Sequence, residues 1–173
     1  MKIQYDGNFR CFCNKIKSTP INETELDFSN QPLCTSLDKS QLLQFVGAIP
    51  GHITTVNFRG TKLNSLNLDD LAQFFQFLPD GVKINIDDNS LGELFESRVD
   101  QQRMIGLFGI IQSKGISIIP SIDDKESLHF RNEYIRYCED SKNYKLNDPF
   151  APFYHTGATF SIEESSSLKQ VFG

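Results

Sequence analysis

Histidine and cysteine are the side chains best suited to nucleophilic or acid–base chemistry, and the chain has His52, His129 and His155 with Cys11, Cys13, Cys34 and Cys138. A catalytic thiol needs a base within hydrogen-bond reach. One pairing in the C-terminal third is Cys138 with His155, and no local signature accompanies it. His52 follows Pro50-Gly51 in a predicted loop, and His129 lies on a predicted helix near Arg131 and Glu133. Cys11 and Cys13, on one strand, would point to the same face, where residues two apart do not bridge easily. The cysteine spacing matches no zinc pattern, and reduced core cysteines suit a reducing compartment. Asp87-Asp88 and Asp123-Asp124 fit turns and helix caps better than a cation site. A Gly-rich phosphate loop, HExxH and GxSxG are all missing. These residues imply no cofactor and no metal. They leave a surface as the working part, with a small enzyme or toxin-like domain using Cys138 and His155 as the alternative.

Composition narrows the partners of such a surface. A net charge of −5 argues against general nucleic-acid binding, which wants a basic face, and fits a protein partner. No segment approaches the ~18 apolar residues of a membrane span. Met1–Asp6 has no apolar core of a signal peptide. The 173 residues predict one domain, and fifteen Phe with no Trp must supply much of its core.

The elements that position a surface come from a repeated pattern in Ser40–Leu91. An apolar helical run (Leu42, Phe45, Val46, Ile49) stops at Pro50-Gly51 and is followed by Val56-Asn57-Phe58, Thr61 and Leu63. A second run (Leu71, Phe74, Phe75, Leu78) stops at Pro79-Asp80-Gly81 and is followed by Ile84-Asn85-Ile86, Asn89 and Leu91. Leu26-Asp27-Phe28 with Gln31 and Leu33 is a third copy. The strand text fits L-x-L-x-x-N-x-L, the frame of a leucine-rich repeat. Two residues point inward from a strand of period two, the Asn satisfies backbone groups at the turn, and the last Leu closes the turn into the core. Thr61 can do part of the Asn job with one hydroxyl. Leu26 to Val56 is 30 residues and Val56 to Ile84 is 28, near the top of the ~20–29 range for such repeats. Ile116–Ile119, 32 residues beyond Ile84, reads as a last atypical strand broken by Pro120.

This pattern predicts an α/β fold, a short leucine-rich repeat solenoid with parallel strands on the concave side and helices on the convex side. Strands are expected near 25–28, 55–58, 83–86 and 116–119, and helices near 38–48, 68–78 and 100–113. Asp6-Gly7-Asn8 between apolar runs predicts an N-terminal hairpin cap, with Ile3 and Tyr5 as part of a first degenerate repeat as the alternative. Asp123-Asp124 predicts the cap of a helix from about Lys125 to Glu139, the start of a C-terminal helical cap. The resulting division is residues 1–20 as N-terminal cap, 21–122 as repeats, 123–160 as C-terminal cap and 161–173 as a mobile tail.

The outward positions of the strands form the candidate partner-binding face: Asp27, Asn57, Arg59, Lys83, Asn85 and Asp87, flanked by Glu25, Ser29, Thr55, Ser117 and Ile119. The middle column is expected to run Asp27-Asn57-Asn85-Ser117, with Asp27 and Asp87 flanking the single cations Arg59 and Lys83. A mixed hydrogen-bonding face suits a protein epitope.

The pairing of Leu42–Pro50 with Ile53–Phe58, and of Phe75–Pro79 with Val82–Ile86, resembles the leucine-rich repeat effectors of Legionella over about Leu26–Leu91. Ser161–Gly173 resembles a type IV (Dot/Icm) translocation signal, with Glu163-Glu164, small polar residues and Val171 near the end. The resemblance implies a non-catalytic protein-binding module, made in the bacterial cytoplasm and secreted into the host cell cytosol. Its partner would be a host protein or another bacterial effector, engaged through the concave face.

Overall fold

The computed structural model describes residues 1–91, 98–119 and 123–143. Two compact units divide the chain, Met1–Tyr134 and Ile135–Gly173. The first is a mixed α/β unit built on four parallel strands: β1 (Glu25–Asp27), β2 (Thr55–Asn57), β3 (Lys83–Asn85) and β4 (Ser117–Ile118), in sheet order β1-β2-β3-β4. The helices are α1 (Phe9–Lys17), α2 (Leu33–Ser36), α3 (Lys39–Val46), α4 (Leu68–Phe77), α5 (Arg98–Ser113) and α6 (Lys125–Asn143). Parallel neighbours need a crossover, and α3, α4 and α5 each lie between successive strands in the chain.

The expected strands and crossover helices are all found, and the register follows the repeat spacing. Leu26 pairs with Val56 and Val56 with Ile84. Leu26, Phe28, Val56, Phe58, Ile84 and Ile86 are all buried. Helix α3 starts on a capping box: the Asp38 carboxylate accepts the Gln41 N–H at 2.8 Å, and the Gln41 amide oxygen accepts the Asp38 N–H at 3.2 Å. Asn67 caps α4, accepting the Asp70 N–H at 2.9 Å. Pro50 and Pro79 follow both helices, where a ring cannot continue the turn. At β4 the register departs from expectation. Ile84 pairs with Ile118 rather than with Ile116, so this repeat is two residues longer than its text implies.

After β1, β2 and β3 the chain turns in the same way. Asn30, Gly60 and Asp88 occupy equivalent places and have φ of 59°, 64° and 56°. Asn, Gly and Asp are the residue types that adopt left-handed backbone at least cost. Then comes the Asn slot of the frame. Asn89 is buried; its amide donates to the carbonyls of Phe58 and Ile86 at 2.8 Å, and its Oδ1 accepts the Leu63 N–H at 2.9 Å. Thr61 holds its own turn, its hydroxyl donating to the Phe58 carbonyl at 2.8 Å, and it reaches Asn89 Oδ1 of the next repeat at 3.5 Å. Gln31 reaches toward the N-terminus, accepting the Tyr5 N–H at 2.7 Å and donating to the Ile3 carbonyl at 2.8 Å.

Phenylalanines fill the first layers. Phe28 and Phe58 stack at 5.8 Å, Phe45 meets Phe28 edge-on at 4.9 Å, and Phe74 meets Phe58 edge-on at 5.1 Å. Phe12 extends the stack, 5.3 Å from Phe45.

Phe12 belongs to a helix, and the expected N-terminal hairpin is not formed. Asn8 caps α1 by accepting the Cys11 N–H at 3.0 Å. Phe12, Cys13 and Ile16 give the helix one buried face, and Lys15 and Lys17 sit in its last turn, where cations favour the helix dipole. Ahead of it, Lys2 makes a parallel bridge to Asp27, and Ile3 is buried. Ile3 therefore extends the repeat ladder, as the alternative reading had it. Asp124 caps α6, accepting the N–H groups of Glu126 and Ser127 at 3.1 Å each. The expected tail, residues 161–173, lies outside the described residues.

Candidate docking surface

The sheet presents two outward columns. Glu25, Thr55, Lys83 and Ser117 stand in one, and Asp27, Asn57 and Asn85 in the other. Ser117 thus shares the column of Lys83, not that of Asn85 as its spacing implied. Glu25, Lys83 and Ser117 are exposed, as is Arg59, while Thr55, Asp27, Asn57 and Asn85 are half-buried.

The inner column has a backbone task that sequence spacing did not reveal. Asp27, Asn57 and Asn85 each accept the N–H two residues ahead: Ser29 at 2.9 Å, Arg59 at 3.1 Å and Asp87 at 2.8 Å. These are Asx turns, one per repeat, and they lead the chain out of the strand. Burial pushes the Asp27 carboxyl up, but the hydrogen bonds from Ser29 and the Lys2 charge more than offset it and hold its pKa below the ordinary value. The signal was legible: Asp or Asn stands at the same place in three successive repeats.

Asp87 is corrected. It was expected to face outward, and it is 1% exposed. Its N–H is tied back to Asn85, and the next residue takes the left-handed turn. The start of α6 lies against this turn. Asp124 accepts the Asp88 N–H at 2.6 Å, and the Ser127 hydroxyl donates to the Ile86 carbonyl at 3.1 Å. Ser29 is buried at the equivalent place in the first repeat.

The hydrogen-bonded partner of Arg59 is Asp88, while the charge of Asp87, one of the two acids expected to flank it, acts on it more weakly. Its Nε donates to Asp88 Oδ2 at 2.6 Å, and this bond with the Asp88 charge raises the guanidinium pKa further. Both side chains are about half exposed, 51% and 52%, so the pair costs little to open. The face thus offers Arg59 and Lys83 as accessible cations, Glu25 and Asp88 as accessible acids, and amides between them.

Of the four thiols, Cys13 and Cys34 are buried and Cys11 and Cys138 half-buried. Cys34 is buried and its thiol is pushed up to about 12 by burial; burial also raises Cys13. Such thiols are protonated at neutral pH, and the thiolate is the nucleophile. His52 Nε2 lies 3.2 Å from the Pro20 carbonyl and bridges two loops. Cys138 is half-buried on α6, and its suggested partner His155 lies outside the described residues. Among the described residues no three His, Cys, Asp or Glu side chains gather as metal ligands, and no helix is long and apolar enough to cross a membrane.

Parallel strands, β1 to β3 repeating every 28–30 residues, a left-handed turn after each of these three and an Asn bonded back to the preceding repeat define a leucine-rich-repeat-like α/β fold. Among solved structures the chain is similar to the leucine-rich repeat-containing protein LegL7 from Legionella pneumophila, with a TM-score of 0.53 and 22% identity over 68% of this chain. The match spans 35% of that protein's chain. At this identity the likeness is one of fold. No protein-family model matches the chain, and no curated protein does.

Proposed function

We propose that this chain is a non-catalytic protein-binding module, a short leucine-rich repeat solenoid whose outward sheet face is the concave docking surface. The observation that carries the reading is the register. It sets Asp27, Asn57 and Asn85 side by side, with Lys83 and Arg59 exposed next to them. Three of these side chains are fixed by Asx turns, so they meet a partner with little ordering left to lose. Arg59 is the anchor of the face, because a guanidinium offers five donors and a stem that packs.

We further propose that the module is a translocated effector, made in a bacterial cytoplasm and delivered to a host cell's cytosol by a signal in residues 161–173. Its partner is a host protein or another effector. The Glu163-Glu164 cluster and the small polar residues of the tail support this reading.

The test is affinity capture from host lysate and from the bacterium's own lysate, with bound proteins identified and compared between wild type and Arg59→Glu. Loss of a specific partner with the variant supports the reading, and equal capture moves the site elsewhere. A reporter fusion lacking residues 161–173 should fail to reach the host cytosol; undiminished delivery removes the export proposal.

A further inference from the structure

The sheet does not begin at β1. Residues 1–5 run alongside it and are bonded to it by alternate residues only. Ile3 donates its N–H to the Asp27 carbonyl at 3.2 Å, and the Asp27 N–H reaches the Met1 carbonyl at 2.8 Å. Gln31 takes the Ile3 carbonyl and the Tyr5 N–H. The intervening residues, Lys2 and Gln4, turn their N–H and C=O groups to the other side, where they meet no hydrogen-bond partner among the described residues. A row of unpaired backbone groups is a template for another strand.

This edge opens on a groove rather than on bare solvent. Met1, Lys2, Ile3, Gln4 and Asp6 line it from the N-terminal segment, and Lys15, Ser18 and Pro20, at and beyond the end of α1, line it from the helix, around about 660 Å³. A second depression of about 450 Å³ shares Lys15 and Ser18 and runs on along α1 past Asn14 and Arg10. An edge strand facing a helix across a groove is a geometry that takes an extended peptide: the main chain adds to the sheet and the side chains meet the helix.

Charge selects the peptide. Residues 1–20 carry Lys2, Arg10, Lys15 and Lys17 against a single acid, Asp6, on a chain whose net charge is −5. Lys15 and Asp6 are 3.4 Å apart and both half exposed. Lys2, Arg10 and Lys17 are exposed and make no ion pair with a described residue. A basic wall on an acidic protein steers an acidic segment to this end and not to the rest of the surface.

We infer that the groove between residues 1–4 and α1 is a second docking site, which takes an acidic, extended segment of a protein partner as an added β-strand. It is separate from the outward sheet face.

The probe is a labelled hexapeptide that alternates Val with Glu, added to the full chain while backbone amides are followed by NMR. The Lys2 and Gln4 amides should shift and gain exchange protection. Methylating the peptide's alternate amide nitrogens should weaken binding by roughly tenfold or more, since the ladder bonds are lost. Lys2→Pro removes a donor that the fold does not use and should weaken binding similarly, whereas Arg59→Glu should leave it unchanged. Three results would overturn the inference: unperturbed Lys2 and Gln4 amides, equal binding by the methylated peptide, or equal binding when Gln replaces Glu. Binding to phosphatidylserine vesicles with no response to the peptide would overturn it too, in favour of a lipid surface.

Discussion

The Oδ1 of Asn89 accepts the backbone N–H of Leu63 at 2.9 Å, across 26 residues of chain and inside the core. Through the same side chain the Phe58 carbonyl gains a donor at 2.8 Å. One amide thus fastens the turn of one repeat to that of the next. Asn89→Ala would leave the buried Leu63 N–H without its acceptor and take one donor from the Phe58 and Ile86 carbonyls, and should cost about 1–3 kcal/mol. Urea unfolding checks this, and a loss under about 0.5 kcal/mol, ordinary for a surface change, would contradict it.

Phe58 is fully buried among Phe28, Phe45 and Phe74. Phe58→Ala should cost about 3–5 kcal/mol, because the stack around it cannot collapse into the space left. Phe77, at the end of α4, is 51% exposed. Phe77→Ala should change stability by less than about 0.5 kcal/mol, so the two variants separate core from surface phenylalanine in one thermal-melt comparison.

Asp124 ties α6 to the third repeat. Burial pushes its carboxyl up, but the Ser127 and Asp88 N–H groups and the Ser127 hydroxyl more than offset this, and its pKa lies below the ordinary value. A carboxylate depressed on folding stabilises fully above its unfolded pKa of about 3.9, and the contribution is lost as pH falls through the folded value. Asp124→Ala should therefore cost about 1–2 kcal/mol at neutral pH and progressively less below about pH 4. Urea titrations at the two pH values measure it, and an equal loss in both would contradict the assignment.

The cysteines give a chemical test. With its thiol near pKa 12 and its side chain buried, Cys34 should resist iodoacetamide at about pH 8 in the native chain and react once unfolded. Peptide mapping of the alkylated protein reads this out. Rapid native modification of Cys34 would mean an accessible thiolate and would reopen thiol chemistry.

The strands were legible because their pattern is local and repeated. Val56, Phe58, Ile84 and Ile86 alternate as a half-buried strand must, and each is followed by Thr or Asn and a Leu at fixed distance. The N-terminus was misread because Asp6-Gly7-Asn8 carries a turn signal that serves equally as a helix start. The deciding set, Phe12, Cys13 and Ile16 at helical spacing, was in the text. Asp87 and Arg59 were misjudged for a different reason. The side chain that pairs with Arg59 belongs to Asp88, a residue in left-handed backbone, and what lies against the Ile86–Asp88 turn is α6, remote in sequence. Strand alternation stops being a guide once the strand has ended.

Photo-crosslinking from single positions tests docking on the outward sheet face most directly. A crosslinker is placed in turn at Asn57 and Lys83, on that face, and at Gln76, exposed on α4, and each chain is offered the captured partner at equal folded concentration. The account predicts covalent adducts from Asn57 and Lys83, none from Gln76, and their loss when Arg59→Glu is added. Adducts from Gln76 with none from Asn57 or Lys83 would contradict it and place the partner on the helices.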